Sequence, residues 1–331
     1  MAEIDWNPGT LLATSGQYWQ SCTLHAGLKL DIFSLLADGP LHAGQIAGKA
    51  ASETRSMTML LNALSAMGLI VKSDDSFANT PFSQKFLNQN SADYLGHIIL
   101  HHHHLMASWA QLPDAVRTDQ PVRGRITEGD ETIRRSFLMG MFNMARLQAP
   151  RIAASLDLSQ SATLLDLGGG PGTYAIYFCR ANPQLTATVF DLPTTRPVAD
   201  EVIQRFNIAD RIRFVAGDYH QDSIDGEYDA VWLSHILHGE GPEVCQALIN
   251  KAAGALTSGG QIIIHDFVLD DTQDGPLFPA LFALNMLLGT SHGQTYTHAQ
   301  IRTMLETAGL GNIRRIPFQS PNEASVLVGT R

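Results

Sequence analysis

The 331-residue sequence predicts an α/β fold, a mostly parallel sheet covered by helices on both faces and preceded by a mainly helical domain. Three observations lead there. After Ala162, strand-like apolar runs alternate with helical ones; before Gly96, helical periodicity dominates; and one short stretch, DLGGGPG at 166–172, follows a buried-looking run where a strand ends.

The elements follow in order. Apolar residues recur at helical spacing from Ala26 to Leu36, Ala43 to Ala50 and Ser56 to Ile70, with Met57, Leu60, Leu61, Leu64 and Met67 on one face. VKSDDSFANT then reads as two strands around an Asp-Asp-Ser turn. Helix, helix, helix, hairpin is the outline of a winged helix. Between Glu53 and Met67 the only basic residue is Arg55, too little for phosphate contacts, so packing or dimerisation is the expected use. Residues 96–155 read as a helical connector, with a polar stretch from Thr118 to Asp130. The runs TLLDLG, TATVFDL, IRFVAGD, YDAVWLSHI and QIIIHDF are the parallel strands. NIRRIPF and ASVLVGT are joined by a turn around Gln319 to Asn322 and must pair antiparallel, since a parallel crossover needs about a dozen residues. The domain boundaries are thus 1–95, 96–155 and 156–331.

Charge and cysteine usage narrow the partners. With 22 basic and 32 acidic side chains the net charge is -10, which disfavours nucleic acid and anionic membranes. Composition, 44% hydrophobic and 16% charged, is that of a soluble globular chain. Cys22, Cys179 and Cys245 are too few and too scattered for a disulfide framework, and the first basic residue is Lys29, unlike a secretion signal; a cytoplasmic location is expected.

In an open parallel sheet, ligands bind beyond the carboxyl ends of the strands. Asp166, Asp191 and Asp218 close the first three strands. The glycines permit close approach to backbone, and an acid about 20 residues beyond can hold ribose hydroxyls. The third glycine of a dinucleotide motif is Thr173 here, which weakens a pyrophosphate reading. Taken singly, the glycines explain a turn and the aspartates explain caps; in register they point to a nucleoside.

These residues resemble the class I S-adenosylmethionine-dependent O-methyltransferases with an N-terminal winged-helix dimerisation domain, the caffeic acid and hydroxyindole O-methyltransferase-like family. The motif Asp166, Gly168, Gly170, Gly172, then VFDLP ending at Pro193, AGDYH, SWAQLPDAV and ALNMLLG carry the likeness through nearly the whole chain. The resemblance implies a Rossmann-like seven-stranded methyltransferase sheet and a homodimer acting on a small aromatic hydroxyl compound. It implies S-adenosyl-L-methionine held by Asp166, Gly168, Gly170, Asp191, Leu192, Asp218, Tyr219 and Ser234. It places Met141, Met144 and Asn285 by the acceptor. His238 aligns with the histidine of the family's LHDW pattern, making it the general base, and Asp266 stands where the family has an orienting glutamate. Two departures are Gly239-Glu240 in place of Asp-Trp, and Thr295 in place of a second flanking acid. They motivate alternatives: nitrogen, carbon or metal-assisted methylation, or a winged-helix regulator that senses the ligand without turnover.

Histidines are dense at 101–104 and again at His235, His238, His265 and His292. Successive helical residues point about 100° apart, so four in a row cannot share one metal. A polar helix face and a histidine-lined cavity are expected, with no metal assigned.

Overall fold

The computed structural model describes residues 5–124, 130–318, 320 and 323–331. The chain divides into two compact units, Met1–Leu105 and Met106–Arg331.

In the first unit α1 (Pro8–Gly16), α2 (Tyr18–Lys29), α3 (Ile32–Leu35), β1 (Leu41–His42), α4 (Ala43–Lys49), α5 (Thr54–Ala66), β2 (Ile70–Ser73), β3 (Ser76–Asn79) and α6 (Pro81–Phe86) follow one another, and α7 (Gly96–Trp109) carries the chain into the second unit. The first predicted helix is broken. Asp31 adopts a left-handed conformation at φ 55°, which no helix interior accepts, so α3 leaves at a new angle. The hairpin β2–β3 gains β1 as a third strand in the order β1-β3-β2. Ile32, Phe33, Ile46, Leu61 and Leu64 are among the residues that form its core.

The second unit contains α8 (Leu112–Thr118), α9 (Glu131–Ser155), β4 (Thr163–Leu167), α10 (Thr173–Ala181), β5 (Thr186–Asp191), α11 (Arg196–Arg205), β6 (Ile212–Ala216), β7 (Tyr228–Ser234), α12 (Pro242–Gly254), β8 (Leu256–Leu269), α13 (Leu277–Gly289), β9 (Tyr296–Thr297), α14 (His298–Thr307), β10 (Gly311–Ile316) and β11 (Ala324–Thr330). Seven strands run in the order β10-β11-β8-β7-β4-β5-β6, and β9 pairs with the end of β8. Strands β8, β7, β4, β5 and β6 are parallel, while β11 pairs antiparallel with both β8 and β10. In the turn before β11, residues 319, 321 and 322 lie outside the described residues, as do 125–129 of the polar stretch before α9.

Successive strand residues face opposite sides of the sheet, and both sides are buried. Leu164, Val189, Trp232 and Ile263 point into one core with α9, α10 and α11; Leu165, Phe190, Leu233 and Ile264 point into the other with α12 and α14. Each fully buried Leu or Ile contributes about 1.5–3 kcal/mol. The chain reverses its strand order at β4, which is flanked by β5 and β7. That switch point opens a crevice at the carboxyl end of β4.

Candidate active site

The turn after β4 keeps its glycines for separable reasons. A Cβ on Gly168 would collide with Ile236 Cδ1, and φ is +68°, so a side chain there is excluded twice over. Gly170 is also left-handed, at φ +54°, but nothing lies within 4 Å of its missing Cβ. The loop therefore presents bare backbone to open space at Gly170.

Around that loop the three acids take different places. Asp166 is 1% exposed; its carboxylate sits beneath Gly169 and accepts the Ala175 amide at 3.3 Å. Burial, reinforced by Asp191, pushes its pKa up to about 7. Asp191 accepts the Gly170 amide at 2.8 Å on Oδ2, and the Leu192 amide and Thr195 hydroxyl at 2.7 and 2.8 Å on Oδ1. Its pKa is likewise raised by burial. Asp218 lies two residues beyond β6 and closes its own turn by accepting from the His220 amide at 2.9 Å. Next to it, the Tyr219 hydroxyl donates to Glu240 Oε1 at 3.0 Å.

The parallel pairing of β7 with β8 sets Ser234 beside His265, and Ser234 Oγ meets His265 Nδ1 at 2.9 Å. Immediately afterwards His235 turns left-handed, at φ +57°, a conformation uncommon for a residue with a Cβ. The chain folds back through a 3-10 turn, Leu237–Gly239, and His238 Nδ1 arrives 2.6 Å from Asp266 Oδ1. Asp266 lies within β8, which runs on to Leu269: β11 pairs along it as far as Phe267, with Ser325 opposite Asp266, and β9 pairs with Val268 and Leu269. Burial alone would raise the Asp266 carboxyl, but His238 and then His235 hold it well below the ordinary range. His235 Nδ1 stands 3.6 Å from the same oxygen, too far for a hydrogen bond. Donor atoms of His235, His238 and Asp266 lie within 4.8 Å of one another, a spacing at which a cation could be held.

Aromatic rings complete the surroundings of His238. Phe282 lies edge-on at 4.8 Å and Phe267 is stacked at 5.8 Å, with Phe278 packed 4.9 Å from Phe267. His238 Nε2 makes no hydrogen bond among the described residues, and its side chain is 12% exposed. One imidazole nitrogen is thus fixed by a carboxylate while the other, unpaired among the described residues, belongs to a ring packed among phenylalanines, an arrangement suited to taking a proton from a bound hydroxyl.

The remaining predicted residues fall farther out. Asn285 is buried on α13 and accepts from Arg123 Nη2 at 3.4 Å. Met141 and Met144 are half-buried on α9. Thr295 is buried and donates to the Pro279 carbonyl at 3.2 Å. Glu240, which stands where a tryptophan was expected, is 4% exposed, so a carboxylate is present after all; it faces Tyr219 and His220 rather than His238. Its isolation in a turn sequence left no periodic signal. Arg123 was equally silent, because its partners lie 162 residues away.

Known proteins match this chain along its length. A family model describing an O-methyltransferase domain matches residues 109–311, and one describing an O-methyltransferase dimerisation domain matches residues 12–89. The 3-hydroxy-5-methyl-1-naphthoate 3-O-methyltransferase of Streptomyces sahachiroi is 33% identical, over 95% of this chain and 92% of its own. The tetracenomycin polyketide synthesis 8-O-methyl transferase of Streptomyces glaucescens is 32% identical over 96% of both. Among solved structures, an O-methyltransferase family protein from Burkholderia thailandensis superposes with a TM-score of 0.88 at 28% identity, covering 99% of each chain. PigF of Serratia sp. with S-adenosylhomocysteine does so at 0.88 and 26%, covering 98% of this chain and 100% of PigF.

Proposed function

The chain belongs to the O-methyltransferase family and uses S-adenosylmethionine, and on that premise we propose that His238 is the general base for methylation of a small aromatic hydroxyl compound. The observation that carries this reading is the 2.6 Å contact between His238 Nδ1 and Asp266 beneath a wall of phenylalanines. Relatives named for a hydroxynaphthoate and a polyketide acceptor support the aromatic class.

The loop fits a nucleoside because Gly168 and Gly170 leave backbone uncovered at the switch point. In this reading Gly170, Leu192 and Ser234 line the cofactor, and Asp166 holds the loop from below. A carboxylate offers about four acceptor positions, and Asp191 has filled three, leaving one for a ribose hydroxyl. Asp218 and Tyr219 border the adenine. When bound, S-adenosylmethionine supplies a methyl group on a sulfonium, which departs as a neutral thioether. His238 Nε2 accepts the hydroxyl proton as the acceptor oxygen gains its methyl, and the Asp266 carboxylate stabilises the imidazolium so formed. Met141, Met144 and Asn285 wall the acceptor within the connector and the C-terminal domain, residues 96–155 and 156–331, while residues 1–95 dimerise.

Dimerisation is further supported by α1, a nine-residue helix with no buried residue, and by Leu12 and Trp19, which are 72% and 67% exposed. A helix that short needs a partner to persist. Among the described residues no helix is long and apolar enough to cross a membrane. The three cysteines are free, which supports a cytoplasmic setting, and the charge of -10 supports a small-molecule acceptor over nucleic acid.

The test is incubation with methyl-labelled S-adenosylmethionine and a panel of naphthols, naphthylamines and unsubstituted arenes. Labelled aryl methyl ethers are expected. Label on nitrogen or ring carbon, or turnover that survives loss of the His238 imidazole, would overturn the reading.

A further inference from the structure

Arg123 is bound tightly by its backbone and loosely by its charge. The amides of Val122 and Arg123 both donate to the Leu288 carbonyl, at 3.1 and 3.2 Å, which pins this segment along α13. Its side chain passes over Gly289, where a Cβ would collide with the guanidinium, so this glycine is what admits it. Nη2 then reaches the Asn285 carbonyl and Oδ1, and Nη1 reaches the Gly124 carbonyl, all at 3.4 Å. These are long contacts to neutral oxygens. Nε is sealed from solvent with no partner among the described residues.

No carboxylate pairs with Arg123 among the described residues, and residues 277–297 contain no Asp or Glu at all. Desolvation lowers the guanidinium pKa from its ordinary value. A half-buried arginine is normally paired, because a cation withdrawn from water is costly unless an anion meets it. Asn285 adds a second donor: its Oδ1 accepts from Arg123, leaving its amide Nδ2 without a partner among the described residues.

We propose that Arg123, assisted by Asn285, binds a carboxylate carried by the acceptor, so that the substrate class is aromatic hydroxy acids. This rests on the reading of the site as an aromatic O-methyltransferase. The helix α13 sets the scale. Phe282 touches His238, while Asn285 and Gly289 follow about 4.5 and 10.5 Å further along the axis. After α13 the chain returns to the base, since a Cβ on Gly293 would lie 2.7 Å from the His238 carbonyl. A hydroxyl at His238 and a carboxylate at Arg123 are thereby placed on one flat ring system.

The experiment is calorimetry on the full-length protein saturated with S-adenosylhomocysteine, using 1- and 2-naphthoate and, as neutral isosteres, the corresponding naphthamides. At least one naphthoate is expected to bind about 10- to 100-fold more tightly than its amide, as charge-assisted hydrogen bonds would give. R123Q should abolish that preference and R123K should keep part of it, since lysine retains the charge without the fork. Affinity for S-adenosylhomocysteine on the same samples reports whether each variant is folded. Equal binding of acid and amide by the wild type, or a preference that survives in a folded R123Q, overturns the proposal. Its failure is separable from that of the catalytic reading: naphthols methylated without any carboxylate preference refute this subsite alone, and a naphthoate preference without methyl transfer to any naphthol or hydroxynaphthoate refutes the base alone.

Discussion

Two regions of the molecule are rich in histidine, and they behave differently. In the first unit His101 to His104 run along α7, where His103 lies 5.3 Å from the His25 ring and its Nε2 lies 3.2 Å from Lys29 Nζ. These neighbours are imidazoles and a cation, and His25 and His103 are both held below the ordinary histidine pKa, first by burial and then by those neighbours. In the second unit His235, His238 and His265 cluster at the ends of β7 and β8, and one buried carboxylate, Asp266, sits among them. Density of imidazole is similar; chemistry is not. A histidine becomes a useful base when an acceptor fixes one nitrogen and leaves the other facing a ligand, and in the second region Asp266 is that acceptor for His238.

Substitutions at four positions press on this contrast. The largest effect is expected from His238→Gln, with kcat falling about 10²–10⁴-fold while S-adenosylhomocysteine still binds; steady-state transfer of labelled methyl measures it, and a loss below tenfold would erase the distinction between the two regions. Asp266→Asn should lower kcat about 10–100-fold by releasing the imidazole. Its alanine counterpart should also lower unfolding free energy by about 3–5 kcal/mol in denaturant titrations, the cost of stranding a buried partner.

The third concerns pH. A histidine whose folded pKa lies below its unfolded value contributes stability that is present above about pH 6.5 and is lost as pH falls through the folded value. His25, 5% exposed, is such a group. Unfolding at pH 7, 6 and 5 should show His25→Phe losing less stability on acidification than the wild type, by at most about 1.4 kcal/mol per pH unit. An identical slope in both proteins would mean that His25 does not titrate as a buried histidine. The smallest effect belongs to His103→Gln, for which kcat should stay within about twofold and stability within about 0.5 kcal/mol. A collapse of turnover there would give the helical run a role that the sheet cluster now holds alone.

Much of the molecule could be read before folding was considered. The strand at 163–167, the glycine loop, the acids at 191 and 218 and the sheet-flanking helices α10, α11 and α12 are local patterns, and β10 and β11 were recognisable as antiparallel from the shortness of their connection. What escaped notice was of another kind. β1 has two residues and β9 has two, below any periodic signal. The break at Asp31 depends on a backbone angle that a polar residue in a helical run does not advertise. Glu240 stood out only as a departure from the family's tryptophan, whereas the fold turns its carboxylate toward Tyr219.

Local spacing was enough to place the parallel strands and their flanking helices, the loop that bares its backbone and the residue types at the strand ends, because each follows from a few turns or one strand. The pairing of His238 with Asp266, which the resemblance implied, depends physically on the register of β7 on β8 and the left-handed turn at His235. Tertiary structure alone carried Arg123 to Asn285 across 162 positions. Contacts of that range are settled by how whole elements pack, and no local pattern encodes them.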